Sequence, residues 1–477
     1  MLRPICLFLI FVTSIYASAQ TTRQLTLPEC IEIALQNNLQ IRQGYFNLKN
    51  AEISLRQSRY NLLPTFNIGS NLGKNFGRAI NPVTNAFINR NSNTLNLQGA
   101  SSLTLFSGFR LTNTVRQSMT DFEAGNEDLA KAKNDVTLNV VTLYTNVIFN
   151  KELLENARFQ LQSATEQLDR IKKQVEAGSL PKSNELNQEA QVATAEVNLI
   201  NQENALNFSL LQLKQAMQVP GSEPLDVVVP ELNPEDLVLD NTPEQIFGIA
   251  AQTMPEIKSA ILRVESAEYA LRAARGGFSP RVTFNAVAQT NYASISDTQR
   301  TMIDGYELGT SPIGVVGGTN QPVYTYQPVF KVISPGYGVK DQLGDNIFKA
   351  LSLQVNVPLF NGLQARSSVQ RAAVNKSLAE ISQEQQRNTL RQTIETSYND
   401  ALAASKTYAA SLKQVNARNE AYRMTKQRFE IGASSYVEYR ISETDLFQSK
   451  SDLARAKFNF IFRKKLLDFY QGKPITL

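Results

Sequence analysis

The chain contains no histidine. That removes His-based catalytic triads, imidazole metal ligands and the usual general base near neutral pH. Of its two cysteines, Cys6 falls in an N-terminal apolar stretch, which leaves Cys30 without an intrachain disulfide partner in a processed chain. Cys30 reads most simply as a small buried residue on a helix, with a reactive thiol as the alternative. Gly472-Lys473-Pro474 lacks the preceding glycine and the Ser/Thr of a phosphate-binding loop. Gly314 to Gly318 lacks the strand-to-helix setting of a dinucleotide site. No enzyme, cofactor or metal site is expected. What remains open to this chain is the chemistry of charge, packing and membrane insertion, and its elements decide which.

Residues 1–19 have the form of a secretory signal: Arg3, an apolar run from Ile5 to Tyr16, and Ala17-Ser18-Ala19 as a small-residue cleavage site. The run is too short to span a bilayer. The net charge of +5 falls to +4 once Arg3 leaves, with charged residues at 19%. That is too mild a balance for a nucleic-acid partner. At 477 residues, core burial is not limiting.

The chain is organised as a duplication. Leu105-Phe106-Ser107-Gly108 opens a proline-free span that Glu176-Ala177-Gly178 closes, and Leu359-Phe360-Asn361-Gly362 opens a second that Glu430-Ile431-Gly432 closes. Both spans have the same length from glycine to glycine, so the copies align without a net gap. Val140, Val147, Leu154, Leu161, Leu168 and Val175 repeat every seventh residue, and Val136, Leu143, Asn150, Ala157, Ala164 and Ile171 form a second seam. This predicts a coiled-coil-like helix able to reach roughly 100 Å. In the second span one seam is clean (Ile394, Ala401, Tyr408, Val415, Tyr422, Phe429). The other carries Ser397, Ser411, Arg418 and Thr425 and is expected to face solvent more.

Each long helix is preceded by two segments with a period of two. Phe66, Ile68 and Leu72 alternate with Asn67, Gly69 and Asn71; Leu351, Leu353 and Val355 alternate with Ser352, Gln354 and Asn356. The expected plan is a first repeat over 20–221 (strands about 64–76 and 93–106, long helices about 109–178 and 182–218) and a linker over 222–241. A second repeat follows over 242–472 (strands about 280–293 and 346–360, long helices about 363–432 and 436–470), then a tail, 473–477. Pro64 maps to Pro280 and Gly108 to Gly362, and the interval between the two landmarks is longer in the second half. The added length falls in a Gly/Pro/Tyr-rich loop, about 294–345, that holds Tyr324, Tyr326 and Tyr337 and reads as a surface loop.

Strands apolar on one face in an exported chain point to a membrane barrel. Four strands cannot close one, and an open edge in lipid leaves backbone groups unsatisfied. The competing reading is four soluble hairpin strands on a periplasmic coiled-coil protein.

The duplicated order, the Leu-Phe-Ser-Gly and Leu-Phe-Asn-Gly turns and Arg428-Phe429-Glu430-Ile431-Gly432 resemble the TolC-like outer-membrane efflux protein family, over essentially the whole mature chain. The resemblance implies a mainly α fold with a membrane β-barrel portion. A homotrimer would complete a 12-stranded barrel in outer-membrane lipid, above a long α-helical tunnel in the periplasm. The duct would be the passive exit of an efflux or type I secretion system. Its implied partners are a periplasmic adaptor and an inner-membrane transporter of RND, ABC or MFS type. A periplasmic coiled-coil structural or adaptor protein and a metal-cation efflux component are the alternatives. The resemblance makes Gly178, Ser179 and Leu180, with Gly432, Ala433 and Ser434, adaptor-contacting tip turns. It puts Glu438, Asn184 and Glu185 at the periplasmic entrance. This chain departs from the family's pattern at Ser434, where some members carry a basic residue, and at Ile441, where a second acid is missing.

Overall fold

The computed structural model describes residues 23–80, 87–89, 91–230, 239, 241–294, 300–334 and 336–473. The expected signal, residues 231–238 and 240 of the expected linker, and the tail beyond residue 473 lie outside the described residues.

The first half runs β1 (Arg23–Leu25), α1 (Leu27–Asn37), α2 (Leu39–Tyr60), β2 (Thr65–Asn75), a short hairpin β3 (Arg78–Ile80) and β4 (Phe87–Asn89), β5 (Ser92–Phe106), α3 (Arg110–Glu176) and α4 (Lys182–Ala216). After β6 (Leu225–Val227) come α5 (Pro243–Thr253), α6 (Pro255–Arg275) and β7 (Arg281–Ala293). Then follow β8 (Arg300–Leu308), β9 (Gly314–Val315), β10 (Pro322–Val323), β11 (Tyr326–Ser334), α7 (Val339–Asp345), β12 (Phe348–Asn356), α8 (Gln364–Glu430) and α9 (Tyr436–Tyr470).

Both halves start on a capping box. Thr26 and Glu29 bond reciprocally at the head of α1, as Thr242 and Gln245 do at α5, and a proline occupies the first turn of each. The helical pattern expected to run on unbroken is interrupted at Asn38 and again at Met254, both in extended conformation. The opening helices then pack on the long ones. Cys30 and Ala34 join Val136, Val140 and Val147 in one core cluster. Ile246, Phe247 and Ala250 join Leu390, Ile394 and Ala401 in another. Cys30 is fully buried. The segment expected to be a linker contributes β6, which pairs in parallel with β1; the Tyr144 hydroxyl bonds the carbonyls of Leu25 and Val228 beside it.

The chain divides into two compact units, each drawn from both halves of the sequence. One comprises the residues up to Glu52 together with Thr120–Glu265 and Ser377–Leu477; the other comprises Ile53–Met119 and Ser266–Lys376.

The first unit holds the helical cores. The seam expected from Val140 onward stays fully buried at Val140, Val147 and Leu154, but Leu161, Leu168 and Val175 are only half-buried. Burial passes to the small-residue seam, Ala157, Ala164 and Ile171. A straight helix, with about 3.6 residues per turn, drifts against a seven-residue grid. Ser397 and Ser411, expected to face solvent, are buried, whereas Arg418 is exposed and pairs with Asp445 at 2.6 Å.

The second unit holds a four-stranded antiparallel sheet in the order β12-β7-β5-β2. Its register aligns the alternation of all four strands. Leu72 faces Leu95, Leu103 faces Phe284, and Phe284 faces Leu353, so one face is apolar. Asn71 faces Asn96, Asn96 faces Asn291 and Asn285 faces Ser352 on the polar one. Ile68, Leu72 and Leu351 are each at least 75% exposed. The region expected to be a loop is largely ordered as a second hairpin, β8 with β11, followed by α7; Tyr326 opens β11 and the Tyr337 hydroxyl bonds Asp345. Among the described residues no helix is long and apolar enough to cross a membrane.

Candidate functional site: the two long-hairpin turns

The chain reverses between α3 and α4 and again between α8 and α9, and both reversals use one backbone device. Gly178 (φ 74°) donates to the Val175 carbonyl at 2.9 Å, and Ser179 N–H reaches Gln174 at 2.9 Å. Gly432 (φ 75°) donates to Phe429 at 3.0 Å, and Ala433 N–H reaches Arg428 at 2.7 Å. This is the Schellman arrangement, which needs a left-handed residue and so selects glycine. Ser179 adds a side-chain bond to Gln174, and Leu180 is half-buried.

Both returning helices start four residues after the glycine, so Asn184 and Glu438 are equivalent positions, as are Glu185 and Tyr439. Glu438 is exposed. Its N–H is capped by Ser435 at 3.2 Å and its carboxylate accepts from the Ser434 hydroxyl. That hydroxyl, helped by Arg428, holds the carboxyl below the usual range. Asn184 is half-buried, while Glu185 is buried and paired with Lys182 at 2.7 Å. The expected entrance residues thus divide into one solvent-facing acid, one half-buried amide and one buried acid.

One turn further along lies a cluster absent from the sequence-based expectations. Glu443 is 2% exposed, pairs with Arg440, and accepts from the Tyr439 hydroxyl and from Ser163 on α3 at 2.7 Å. Tyr439 stacks on Phe429 and its hydroxyl meets that of Tyr422. Burial, with Glu443 adding to it, pushes the Tyr439 phenol far up. Tyr436 donates to Gln188, which is fully buried and bonds the Ala164 carbonyl at 2.8 Å. The polar contacts of Ser163 and Gln188 therefore stitch the two long hairpins together within one copy. Ser442, equivalent to Gln188, has a buried hydroxyl oxygen without a partner among the described residues. A usable signal is the run of aromatics around the second turn, Tyr422, Phe429, Tyr436 and Tyr439, which is too dense for a solvated helix.

Among the described residues no group of acids and thiols could hold a metal ion. The arrangement is suited to holding helices and presenting charge.

The chain thus combines a four-stranded sheet, apolar on one face, with two long helical hairpins closed by matched turns. The chain belongs to the outer membrane efflux protein family, whose description matches residues 30–218 and 339–460. It is similar to Outer membrane protein TolC of Escherichia coli, at 22% identity over 444 residues, 92% of this chain and 80% of that protein. It is also similar to the toluene efflux pump outer membrane protein TtgF of Pseudomonas putida, at 23% identity over 92% of this chain and 81% of that protein. Among solved structures, VceC of Vibrio cholerae aligns with a TM-score of 0.72 at 14% identity, covering 94% of this chain and 97% of that one. The Campylobacter jejuni CmeC channel aligns at 0.69 and 16%, covering 94% and 85%. The protein is an outer-membrane efflux channel reaching into the periplasm, not an enzyme.

Proposed function

We propose that three copies form a passive exit duct, through which an inner-membrane transporter of RND, ABC or MFS type, joined by a periplasmic adaptor, sends cargo across the outer membrane. Members of the family generally form trimers and work with adaptors and inner-membrane transporters. The observation that carries the reading is the sheet: four strands, one apolar and one polar face, and two open edges, β2 and β12. In lipid each unsatisfied backbone group costs several kcal/mol, so the edges must be paired. Two copies would give eight strands with side chains filling the interior, whereas twelve leave a conduit. The polar face, with Asn71, Asn96, Gln98 and Asn285, would line it.

In the helical unit, Gly178, Ser179 and Leu180 with Gly432, Ala433 and Ser434 would meet the adaptor. Glu438, with Asn184 and Glu185 nearby, would form the charged entrance, and the Glu443 cluster would keep the hairpins together when the entrance is shut. The test is reconstitution: the purified protein should run as a heat-sensitive trimer and give single-channel conductance in planar bilayers. A monomer without conductance would sink the reading.

A further inference from the structure

The sheet carries little charge, and the little it has is placed unevenly. The register sorts the side chains of β2, β5, β7 and β12 onto two faces. On the apolar face only Lys74 and Lys349 are charged among the described residues. Lys74 faces Asn93 and stands two places beyond Leu72; Lys349 faces Ala288 and stands two places before Leu351. Lys74 is the last residue but one of β2 and Lys349 the second of β12, so they occupy the two edge strands. β2 and β7 begin where α2 and α6 have ended, and β5 and β12 end where α3 and α8 are about to begin. All four helices therefore join the sheet at one end, and both lysines lie toward the other.

The end nearer the helices is built differently. On the same face it carries Phe66, Val282, Phe284 and Val355, and no charge among the described residues. A lysine at the middle of a bilayer is costly, while at the margin its stem lies on apolar surface and its amine reaches the headgroups. From Phe66 to Lys74 the strand rises about 26 Å. A tilt of about 40° makes that roughly 20 Å of depth, close to the height of the apolar band on such a barrel. Both lysines are exposed. Lys331 and Lys376 of the same unit pair with Asp304 and Glu268, whereas neither Lys74 nor Lys349 meets a carboxylate among the described residues. Lys74 instead lies 5.6 Å from the centre of the exposed Phe76 ring. Snorkelling alone would serve equally at either margin; cations at one margin only call for anions there.

We infer that Lys74 and Lys349 hold the phosphates of a glycolipid in the outer leaflet. Its acyl chains lie along the surface of Leu72, Leu95 and Leu351, and its phosphorylated sugar head sits at the two amines. Each ammonium offers three donors, and a phosphate accepts them as charge-assisted bonds. The inference rests on the duct reading, which turns the apolar face to lipid and the helices to the periplasm. In that reading the edge strands of neighbouring copies meet, so each seam carries one Lys74 and one Lys349 on its lipid-facing strip.

The test uses the purified full-length protein in detergent, with deep-rough lipopolysaccharide, whose head is a phosphorylated disaccharide, as the probe. The wild-type trimer should retain it through washing and dissociate at a higher temperature when it is added. Lys74→Gln or Lys349→Gln should weaken binding about fivefold, and the two together about thirtyfold. Lys74→Arg combined with Lys349→Arg should keep it. The Gln variants should conduct in planar bilayers as wild type does, which separates lost binding from lost folding. Equal retention by wild type and the double Gln variant overturns the inference, as does equal binding of phosphatidylglycerol or of the dephosphorylated glycolipid. In each of those cases an intact, conducting trimer leaves the duct reading standing. A wild-type protein with neither trimer nor conductance defeats both.

Discussion

Seven residues past the glycine of the first turn lies a buried acid, Glu185, held by Lys182; seven past the second lies a buried aromatic, Tyr439, and the acid sits one place earlier, in water. The turns before them share both Schellman bonds, while the helix starts differ: Asn184 N–H bonds the Pro181 carbonyl, and Glu438 N–H bonds the Ser435 hydroxyl. Duplication has kept what a left-handed turn demands of the main chain and released the side chains to diverge. The second hairpin brings the carboxylate and aromatic rings of the buried cluster, Glu443, Tyr436 and Tyr439. The first brings small acceptors and donors, Ser163, Gln188 and the Ala164 carbonyl. Divergence made the two turns complementary.

The contrast is open to attack at several points. Glu443→Ala strands Arg440, whose side chain is 15% exposed, and should cost about 3–5 kcal/mol by denaturation in detergent. Glu185→Ala, whose partner Lys182 is mostly in water, should cost under about 1 kcal/mol; comparable losses would mean the two hairpins share the burden evenly. Gly178→Ala and Gly432→Ala should each cost roughly 1–2 kcal/mol for a left-handed alanine, and unequal values would show that the turns are not one device. Ser435→Ala should cost about 1 kcal/mol through the lost cap, while Pro181→Ala, which removes no side-chain cap, should leave thermal stability nearly unchanged.

The smallest stability effect belongs to Glu438→Gln, which should weaken the fold only slightly while lowering the cation-over-anion preference in bilayers. Because the folded carboxyl is held below its ordinary value of 4.5, its charge and its share of stability are fully present above that value. Both disappear as pH falls through the lower folded value. Selectivity in wild type should therefore persist to more acid solution than an ordinary glutamate allows, and Ser434→Ala should move its loss upward in pH.

Much of the architecture is legible in residue order. The strands announce themselves because a membrane sheet has one wet and one apolar face, and Leu351, Leu353 and Val355 record that in a period of two. The matched turns show through Gly178 and Gly432 because no other residue fits their φ cheaply. The break at Asn38 leaves little trace, whereas the one at Met254 is marked by Pro255, which disfavours helix in the residue before it. The β8–β11 hairpin reads as a loop because glycine and proline punctuate its tip, around Gly314 and Pro322. The Glu443 cluster is hidden for a different reason. A glutamate on a long helix looks solvated until the packing of a second hairpin against it is known. Its partner Ser163 belongs to the other half of the duplication, far away along the chain.

The long helices match in another respect: α3 and α8 are each 67 residues, and α4 and α9 each 35. One residue inserted into a single member would turn everything beyond it by about 100° and shift it by about 1.5 Å. The halves are paired rulers, and a length change tolerated in one must be answered in the other. At the far end of the strands the second half carries the β8–β11 hairpin and α7, for which the first half has only the short β3–β4 hairpin. A gene of this kind can vary the β8–β11 segment in one half alone, but it can change the length of its long helices only by coordinated steps.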